Sequence, residues 1–84
     1  MLEPVLKVLA NRRRLAILEF LKKRKEATVG TIANSIKLSF TSTSKHLRLL
    51  DRAGILDKEQ VGLEVSYSIV PSMHRIIVAV LNEL

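Results

Sequence analysis

The chain has 84 residues, 48% of them hydrophobic and only 4% aromatic, which suits one domain with a core of Leu, Ile, Val and Ala. It contains no cysteine, which excludes disulfides, thiolate metal sites and a cysteine nucleophile. Fourteen Lys and Arg against eight Asp and Glu give a net charge of +6, which favours a polyanionic partner.

The positive charge is concentrated in the middle of the chain. Residues 12–52 contain eleven basic side chains and three acidic ones, a distribution typical of a nucleic-acid-binding surface. A membrane-surface helix would combine such charge with large exposed apolar anchors, and no segment does so clearly. The sequence also has no apolar run of about 18 residues and no signal-peptide pattern, so we expect a cytoplasmic protein with no membrane partner.

Two helices are predicted at the start of the chain. Apolar residues at helical spacing indicate a first helix over residues 2–9, with Pro4 in its first turn, where the missing N–H costs nothing. Asn11 then caps a second helix that ends at Lys23 or Arg24. Three consecutive arginines begin this helix, although the helix dipole favours anions at that end. They either contact a DNA phosphate or pair with acidic side chains elsewhere in the fold.

A helix-turn-helix is predicted next. Thr28 caps a short helix over residues 29–36, and the turn of residues 37–39 leads into a longer helix from Ser39 to Gly54. The buried face of this longer helix should carry Thr43, Leu47 and Leu50, and the opposite face Thr41, Lys45, Arg48 and Arg52. Such a helix is either an ordinary solvated amphipathic helix or one that reads bases in a DNA major groove.

Beyond this helix the apolar residues change from helical to alternating spacing. Val65, Tyr67 and Ile69 alternate with polar residues after a turn at Gly62, which predicts a two-stranded β-hairpin. An isolated hairpin is marginally stable, so it should pack on the helices as a wing. Ser72 is predicted to cap a last helix over residues 72–84.

This last helix is apolar on nearly all sides. One helix of a small domain buries only one face against its own core, so the other face needs a partner, and a second copy of the chain is the simplest one. Residues of the first helix can join the same patch. The predicted dimer interface comprises Leu2, Val5, Leu6, Met73, Ile76, Ile77, Val80, Leu81 and Leu84.

The chain resembles the ArsR-type (arsenic-repressor-like) winged helix-turn-helix family of transcriptional repressors over residues 6–69. The most specific match, SKHLRLLDRAGIL at residues 44–56, is similar to the family's hydroxyl-basic-His-Leu recognition helix and its exit into the wing. Further matches are LKVLANRRRLAILEFL, TVGTIANSIKLS and GLEVSYSI.

The predicted elements give one mainly α domain over residues 1–84 with a small β-hairpin, in the order α-α-α-α-β-β-α. The resemblance implies a homodimer formed by its terminal helices, residues 2–9 and 72–84. It also implies that the recognition helices of this dimer occupy successive major grooves of a palindromic double-stranded DNA operator. The expected function is therefore that of a sequence-specific transcriptional repressor.

The ligand positions of metal-sensing family members are not preserved. Members that sense thiophilic ions often carry cysteines where this chain has Thr-Val-Gly at residues 28–30. At a second family site, on the last helix, only His74 and Glu83 are candidates, and their spacing does not match. Two ligands per chain are too few for a zinc or nickel site, so we predict no metal and no cofactor.

Residues at the expected DNA-binding surface also depart from the family pattern. Phe40 replaces a glutamine common at the start of the recognition helix and is expected to pack as a core or staple residue. The wing carries Leu63 and Glu64 where an arginine often follows the glycine. Because a carboxylate is repelled by phosphates, we expect the wing to contribute little, through Lys58 or Gln60 at most.

Base reading is therefore assigned to the polar residues at the start of the recognition helix. The predicted base contacts are Thr41, Ser42 and Lys45, since lysine suits guanine acceptors and hydroxyls suit either partner. The predicted phosphate contacts are Arg12, Arg13, Lys37, Ser44, His46, Arg48, Lys58 and Gln60. For His46 the alternative is a capping or helix-packing role, because it lies beside the apolar stripe of the same helix.

Two alternatives belong to other classes of function. As a protein-interaction module, the chain would dock its apolar last helix into a larger assembly, and its basic face would only be solvated. As an enzyme, it would need a nucleophile–base pair, a phosphate-binding glycine loop or paired carboxylates, and the sequence shows none of these. We therefore expect no catalytic residues.

Overall fold

The computed structural model describes residues 2–83, with the side chain of Leu2 excepted. Its helices are α1 (Leu2–Leu9), α2 (Arg12–Arg24), α3 (Val29–Ile36), α4 (Phe40–Arg52) and α5 (Pro71–Asn82). Its strands are β1 (Glu26–Thr28), β2 (Leu56–Val61) and β3 (Glu64–Ile69). The mainly helical winged helix-turn-helix architecture is confirmed, with one strand more than predicted. Within residues 2–83 no helix is both long and apolar enough to cross a bilayer.

Side-chain caps define where three of the helices begin. The side-chain oxygen of Asn11 accepts two backbone N–H groups from the first turn of α2, at 2.9 and 3.1 Å. Thr28 caps α3 at 3.3 Å and Ser39 caps α4 at 3.1 Å in the same way. Each cap satisfies a backbone donor that has no partner inside the helix. The predicted starts of these helices are confirmed.

The start of α5 differs from the prediction. Ser72 does not cap it; the helix begins at Pro71, and the capping position is Val70, which makes no side-chain hydrogen bond. Proline is favoured at the first helical position because its φ is already helical and the N–H that it lacks would be unpaired there. Leu84, the last residue of the predicted helix, lies outside the described residues.

The hairpin is part of a three-stranded antiparallel sheet in the order β1-β3-β2. The prediction of a two-stranded hairpin was therefore incomplete, because β1 pairs with β3 along its other edge, with Ala27 opposite Tyr67. This pairing buries Ser66, whose hydroxyl donates to Glu26 Oε1 at 3.3 Å. Strand β1 thus joins the segment between α2 and α3 to the wing.

Two glycines have the backbone conformation that the predicted turns require. Gly54 follows α4 with φ +78°, and Gly62 lies in the turn between β2 and β3 with φ +65°. Both values lie in the left-handed region, which costs glycine little. These turns set the direction in which the chain leaves α4 and returns along the wing.

The core lies where α2, α4, α5 and the base of the sheet meet. Its fully buried side chains are aliphatic, as the composition predicted. They comprise Ile17, Leu18, Leu21, Ile32, Leu47, Leu50, Ile55, Leu56 and Ile77. Thr43 is also fully buried, which confirms the predicted stripe on the inner face of α4.

The buried hydroxyl of Thr43 predicts how a substitution there changes stability. Its Oγ1 is buried and makes no hydrogen bond to any group in the described part of the chain. Replacing it by valine keeps the shape and removes the unpaired hydroxyl, so Thr43→Val should raise the free energy of unfolding by about 1–2 kcal/mol in urea denaturation. Thr43→Ser is the matched control, because it keeps the hydroxyl and deletes the methyl group, and it should destabilise. A valine variant less stable than the wild type would contradict this explanation.

Candidate nucleic-acid interface

Helices α3 and α4 are joined by a short turn of residues 37–39. Lys37 adopts a left-handed conformation with φ 57°, and its N–H bonds to the carbonyls at the end of α3. Leu38 N–H also bonds to the Ala33 carbonyl at 3.0 Å, which closes the end of the helix. Lys37 is exposed at this turn, where it was predicted to contact phosphate.

The two faces of α4 differ sharply in exposure. Thr41 and Lys45 are exposed and Ser42 is half-buried, whereas Thr43 and Leu47 have no exposed surface. The three candidate base-contacting side chains therefore lie in the first half of α4, and all three are at least partly exposed to solvent. A helix docked by its outer face would bring their hydroxyl and ammonium groups to base edges.

Ser44 and Arg48 form one contact on α4. Arg48 Nη1 donates to Ser44 Oγ at 3.2 Å, as expected of residues one helical turn apart. Arg48 is exposed and Ser44 half-buried. The hydrogen bond holds the guanidinium along the helix surface, where its remaining donors face solvent.

The polar candidates of the wing already have partners within the chain. Lys58 Nζ lies 3.5 Å from Asp51 Oδ2, and Gln60 Nε2 donates to the Gly62 carbonyl at 3.0 Å. An exposed ion pair of this kind contributes little to stability. The tip of the wing is instead formed by Leu63, whose side chain is 101% exposed relative to an unfolded reference.

A groove of about 570 Å³ separates α4 from the wing. Ser44 and Arg48 line it on the helix side, Lys58 and Gln60 on the wing side, and Val65 contributes apolar surface. The structure thus brings together four of the eight predicted phosphate contacts. The other four lie on α2, in the turn before α4, or on another side of α4.

Phe40 is not a core residue. It is the first residue of α4, and 61% of its side chain is exposed at the mouth of the groove. It is not a helix staple either, because a staple joins the residue before the cap to the fourth helical position, here Leu38 and Thr43. The expectation that Phe40 packs inside is wrong: its helical spacing matches that of the buried Thr43 and Leu47, but in the first turn of α4 its side chain faces the groove beside the wing.

The arginines at the start of α2 have different environments. Arg12 and Arg13 are exposed, and among the described residues neither pairs with an acidic side chain. Arg14 is half-buried; its Nε donates to Nδ1 of His46 at 3.2 Å and its Nη1 to the carbonyl of Val8 at 3.0 Å. Arg14 therefore connects α1, α2 and α4.

The hydrogen bond from Arg14 determines which ring nitrogen of His46 is unprotonated. The imidazole accepts a hydrogen bond on Nδ1, so that nitrogen carries no proton. Burial, followed by the positive charges of Arg14 and Arg13, lowers the pKa of His46 below its ordinary value of 6.5. The structure supports the helix-packing alternative for His46, while its Nε2 remains the nitrogen with which it can reach a phosphate.

The lowered pKa of His46 predicts how stability depends on pH. The unfolded chain takes up the imidazole proton at a higher pH than the native one, so stability is full above about pH 6.5 and falls as the pH decreases below it. Asparagine can keep an acceptor near the Nδ1 position without titrating. His46→Asn should therefore flatten the pH dependence of the urea midpoint between about pH 7.5 and 5.5.

The control for this measurement is His74→Asn, which removes an exposed imidazole on α5, whereas the side-chain hydrogen bonds of Arg14 go to His46 and Val8. An unchanged slope in His46→Asn would show that the Arg14–His46 hydrogen bond does not determine the stability in this pH range.

The predicted dimer residues separate into two groups. Val5, Ile77 and Leu81 are buried within their own chain, so they pack in the core and are not available to a second copy. Leu6 and Ile76 are 55% and 40% exposed. Met73 and Val80 are half-buried beside the core. The side chain of Leu2 and all of Leu84 lie outside the described residues.

The exposed members mark one side of each terminal helix. On α5, Met73, Ile76 and Val80 follow each other at i, i+3 and i+7 and so form one stripe. On α1, Leu6 is exposed at the edge of the side that carries the buried Val5 and Leu9. Both α1 and α5 pack against α2.

Comparison with known proteins identifies the family. Residues 9–59 match the model of a helix-turn-helix domain family. The homodimeric winged helix-turn-helix DNA-binding domain of Mb0332 from Mycobacterium bovis, described as a possible ArsR-family transcriptional regulator, is 32% identical, with a TM-score of 0.86 over 92% of this chain and 71% of that one. The chain belongs to the ArsR family of winged helix-turn-helix transcriptional regulators. Among curated proteins, no sequence matches it.

Other solved structures extend the ArsR-family comparison. HlyU from Vibrio cholerae is 30% identical, with a TM-score of 0.84 over 94% of this chain and 86% of that one. The antimony-specific transcriptional repressor AntR is 28% identical, with a TM-score of 0.80 over 92% of this chain and 70% of that one. In this ArsR-family chain, residues 2–83 contain no cluster of three or more His, Asp or Glu side chains placed to hold a metal ion.

Sequence reasoning missed two residues of this interface. Phe40 was placed inside the protein, and Arg14 was not singled out among the three arginines. Phe40 precedes the buried Thr43 by three residues and the buried Leu47 by seven, so helical periodicity gave no signal that it is exposed. The contact of Arg14 with His46 spans 32 positions and has no local signal.

Proposed function

We propose that the chain is a cytoplasmic, homodimeric transcriptional repressor that binds a palindromic double-stranded DNA operator through α4 and has no catalytic activity. The observation that carries this proposal is the outer face of α4, where Thr41, Lys45 and Arg48 are exposed above a fully buried inner stripe. Lysine and hydroxyl side chains provide donors for base edges, and the guanidinium provides charge for phosphate.

The charge around α4 supports DNA over a neutral partner. Arg12, Arg13 and Lys37 are exposed on neighbouring elements and have no acidic partner among residues 2–83. Clustered unpaired cations repel each other, and a polyanion removes this repulsion and releases its own counterions. The wing offers DNA less positive charge, because Lys58 is paired with Asp51. The exposed carboxylate of Glu64 would also repel phosphates. We therefore assign most of the affinity to α2 and α4.

The dimer proposal is based on the exposed parts of the terminal helices. Leu6 of α1 and the stripe of Met73, Ile76 and Val80 on α5 leave apolar surface in water. A two-fold interface places the same patch of each chain against its copy, which removes that surface from water. The homodimeric state of the Mb0332 domain, an ArsR-like neighbour, supports a homodimer for this chain.

The test is duplex-DNA binding by fluorescence anisotropy across a salt series, with the oligomeric state measured in parallel. Fragments from the chain's own promoter regions are compared with a random duplex of equal length. A dimer should bind both with a steep loss of affinity as salt rises, and one promoter fragment should resist salt better than the random duplex. The absence of duplex binding at low salt would overturn the proposal and favour the protein-interaction module.

Single substitutions distinguish base contacts from phosphate contacts. Lys45→Ala should weaken operator binding by about 1–3 kcal/mol and relax specificity, whereas Arg48→Ala should weaken all sequences alike and reduce the salt slope by about 1. Arg75→Ala is the matched control, since it removes one exposed positive charge from α5 without altering α4 or the wing. It should leave operator affinity unchanged.

A further inference from the structure

Phe40 is the first residue of α4, and its aromatic side chain is 61% exposed. It shares one row of the helix with Ser44 and Arg48, at i, i+4 and i+8, and all three line the groove facing the wing. Residues at the start of a recognition helix are those that reach base edges. An exposed benzyl group therefore lies in the first turn of α4, together with Thr41 and Ser42 and on the side that faces the wing.

The chemistry of a benzyl group limits what it can contact there. It has no hydrogen-bond donor or acceptor, so it gains nothing from the polar atoms of the base edges. In the major groove, the apolar group presented by the standard bases is the C5-methyl of thymine. Packing of Phe40 on this methyl would bury apolar surface of both partners, whereas a guanine or cytosine edge would lose hydration without compensation.

We propose that Phe40 is a specificity-determining residue that selects thymine by packing on its methyl group. This inference rests on the proposed function, since it assumes that α4 enters the major groove. Thymine preference would then come from Phe40, while Thr41 and Lys45 select neighbouring bases through hydrogen bonds. One operator half-site would contain one such thymine, and the two-fold symmetry would repeat it in the other half-site.

The test uses a duplex selected from a random pool by the wild-type protein, synthesised once with thymine and once with deoxyuridine, which lacks only the methyl group. The wild type should bind the uracil duplex about fourfold more weakly for each methyl group that it contacts. This factor corresponds to the ~0.8 kcal/mol gained by burying one methylene-sized group. Phe40→Ala should bind both duplexes equally, and Phe40→Leu should keep part of the difference.

The control variant is Leu63→Ala, which deletes another exposed apolar side chain that lines the same groove from the wing. It should retain the wild-type ratio of thymine to uracil affinities. Comparing ratios between variants removes any general effect of uracil on duplex stiffness, because that effect is common to all of them.

The outcomes separate this inference from the proposed function. Specific binding with equal affinity for thymine and uracil duplexes would overturn the role of Phe40 and leave the DNA-binding proposal standing. A full thymine preference in Phe40→Ala would also overturn it. If no duplex is bound specifically, both proposals fail together.

Discussion

Replacing Ile76 by glutamate should convert the proposed dimer into a monomer and lower affinity for the proposed operator by about 10²–10⁴-fold, because the second half-site is then no longer bound intramolecularly. Ile76 is 40% exposed in the apolar stripe of α5. In a two-fold interface the substitution introduces two carboxylates, one from each copy, into surface that excludes water. Sedimentation gives the oligomeric state, and anisotropy gives the affinity.

The matched control for this prediction is Asn82→Glu. It adds the same charge to an exposed position of the same helix, between about a third and a half of a turn away from the Met73, Ile76 and Val80 stripe. This variant should remain dimeric and bind the operator normally. If Ile76→Glu stays dimeric, the interface does not use this side of α5.

The second large effect is expected in the core. Leu47 has no exposed surface and lies on the inner face of α4. Leu47→Ala should lower the free energy of unfolding by about 2–5 kcal/mol, because transfer energy is lost and a cavity remains. For a domain of this size, that corresponds to a decrease in Tm of about 8–40 °C. Calorimetry or thermal circular dichroism measures the change.

Leu49→Ala tests whether burial is the cause. Leu49 lies two positions further along α4 and is 39% exposed, so the same chemical change removes far less buried surface. It should cost less than about 1 kcal/mol, since leucine and alanine have similar helix propensities. Similar losses in the two variants would mean that burial does not determine the cost of Leu47→Ala.

The helices were predictable because the sequence marks their ends locally. Asn11, Thr28 and Ser39 each offer a side-chain oxygen directly before an apolar periodic segment, and all three cap in the structure. Gly54 and Gly62 likewise mark turns with positive φ. The outer face of α4 followed from the same periodicity, since the buried stripe determines which residues remain outside.

The errors arose where no local pattern decides the structure. Strand β1 has three residues, too few to show alternation, and its pairing partner β3 lies about forty positions away. Helix α5 is apolar on nearly all sides, so its sequence does not show which face packs on the core, and Ile77 was assigned to the dimer instead. The contact between Arg14 and His46 depends on how α2 and α4 pack, which periodicity does not specify.

Arg14 has a thermodynamic consequence for a dimeric DNA-binding protein. One guanidinium bonds to the Val8 carbonyl in α1, next to the proposed dimer surface, and to His46 in α4, the proposed DNA-binding helix. If dimerisation shifts α1, this guanidinium would change the free energy of placing α4, and the two equilibria would be coupled. Such coupling is reciprocal: the factor by which dimerisation tightens operator binding is the factor by which the operator tightens the dimer.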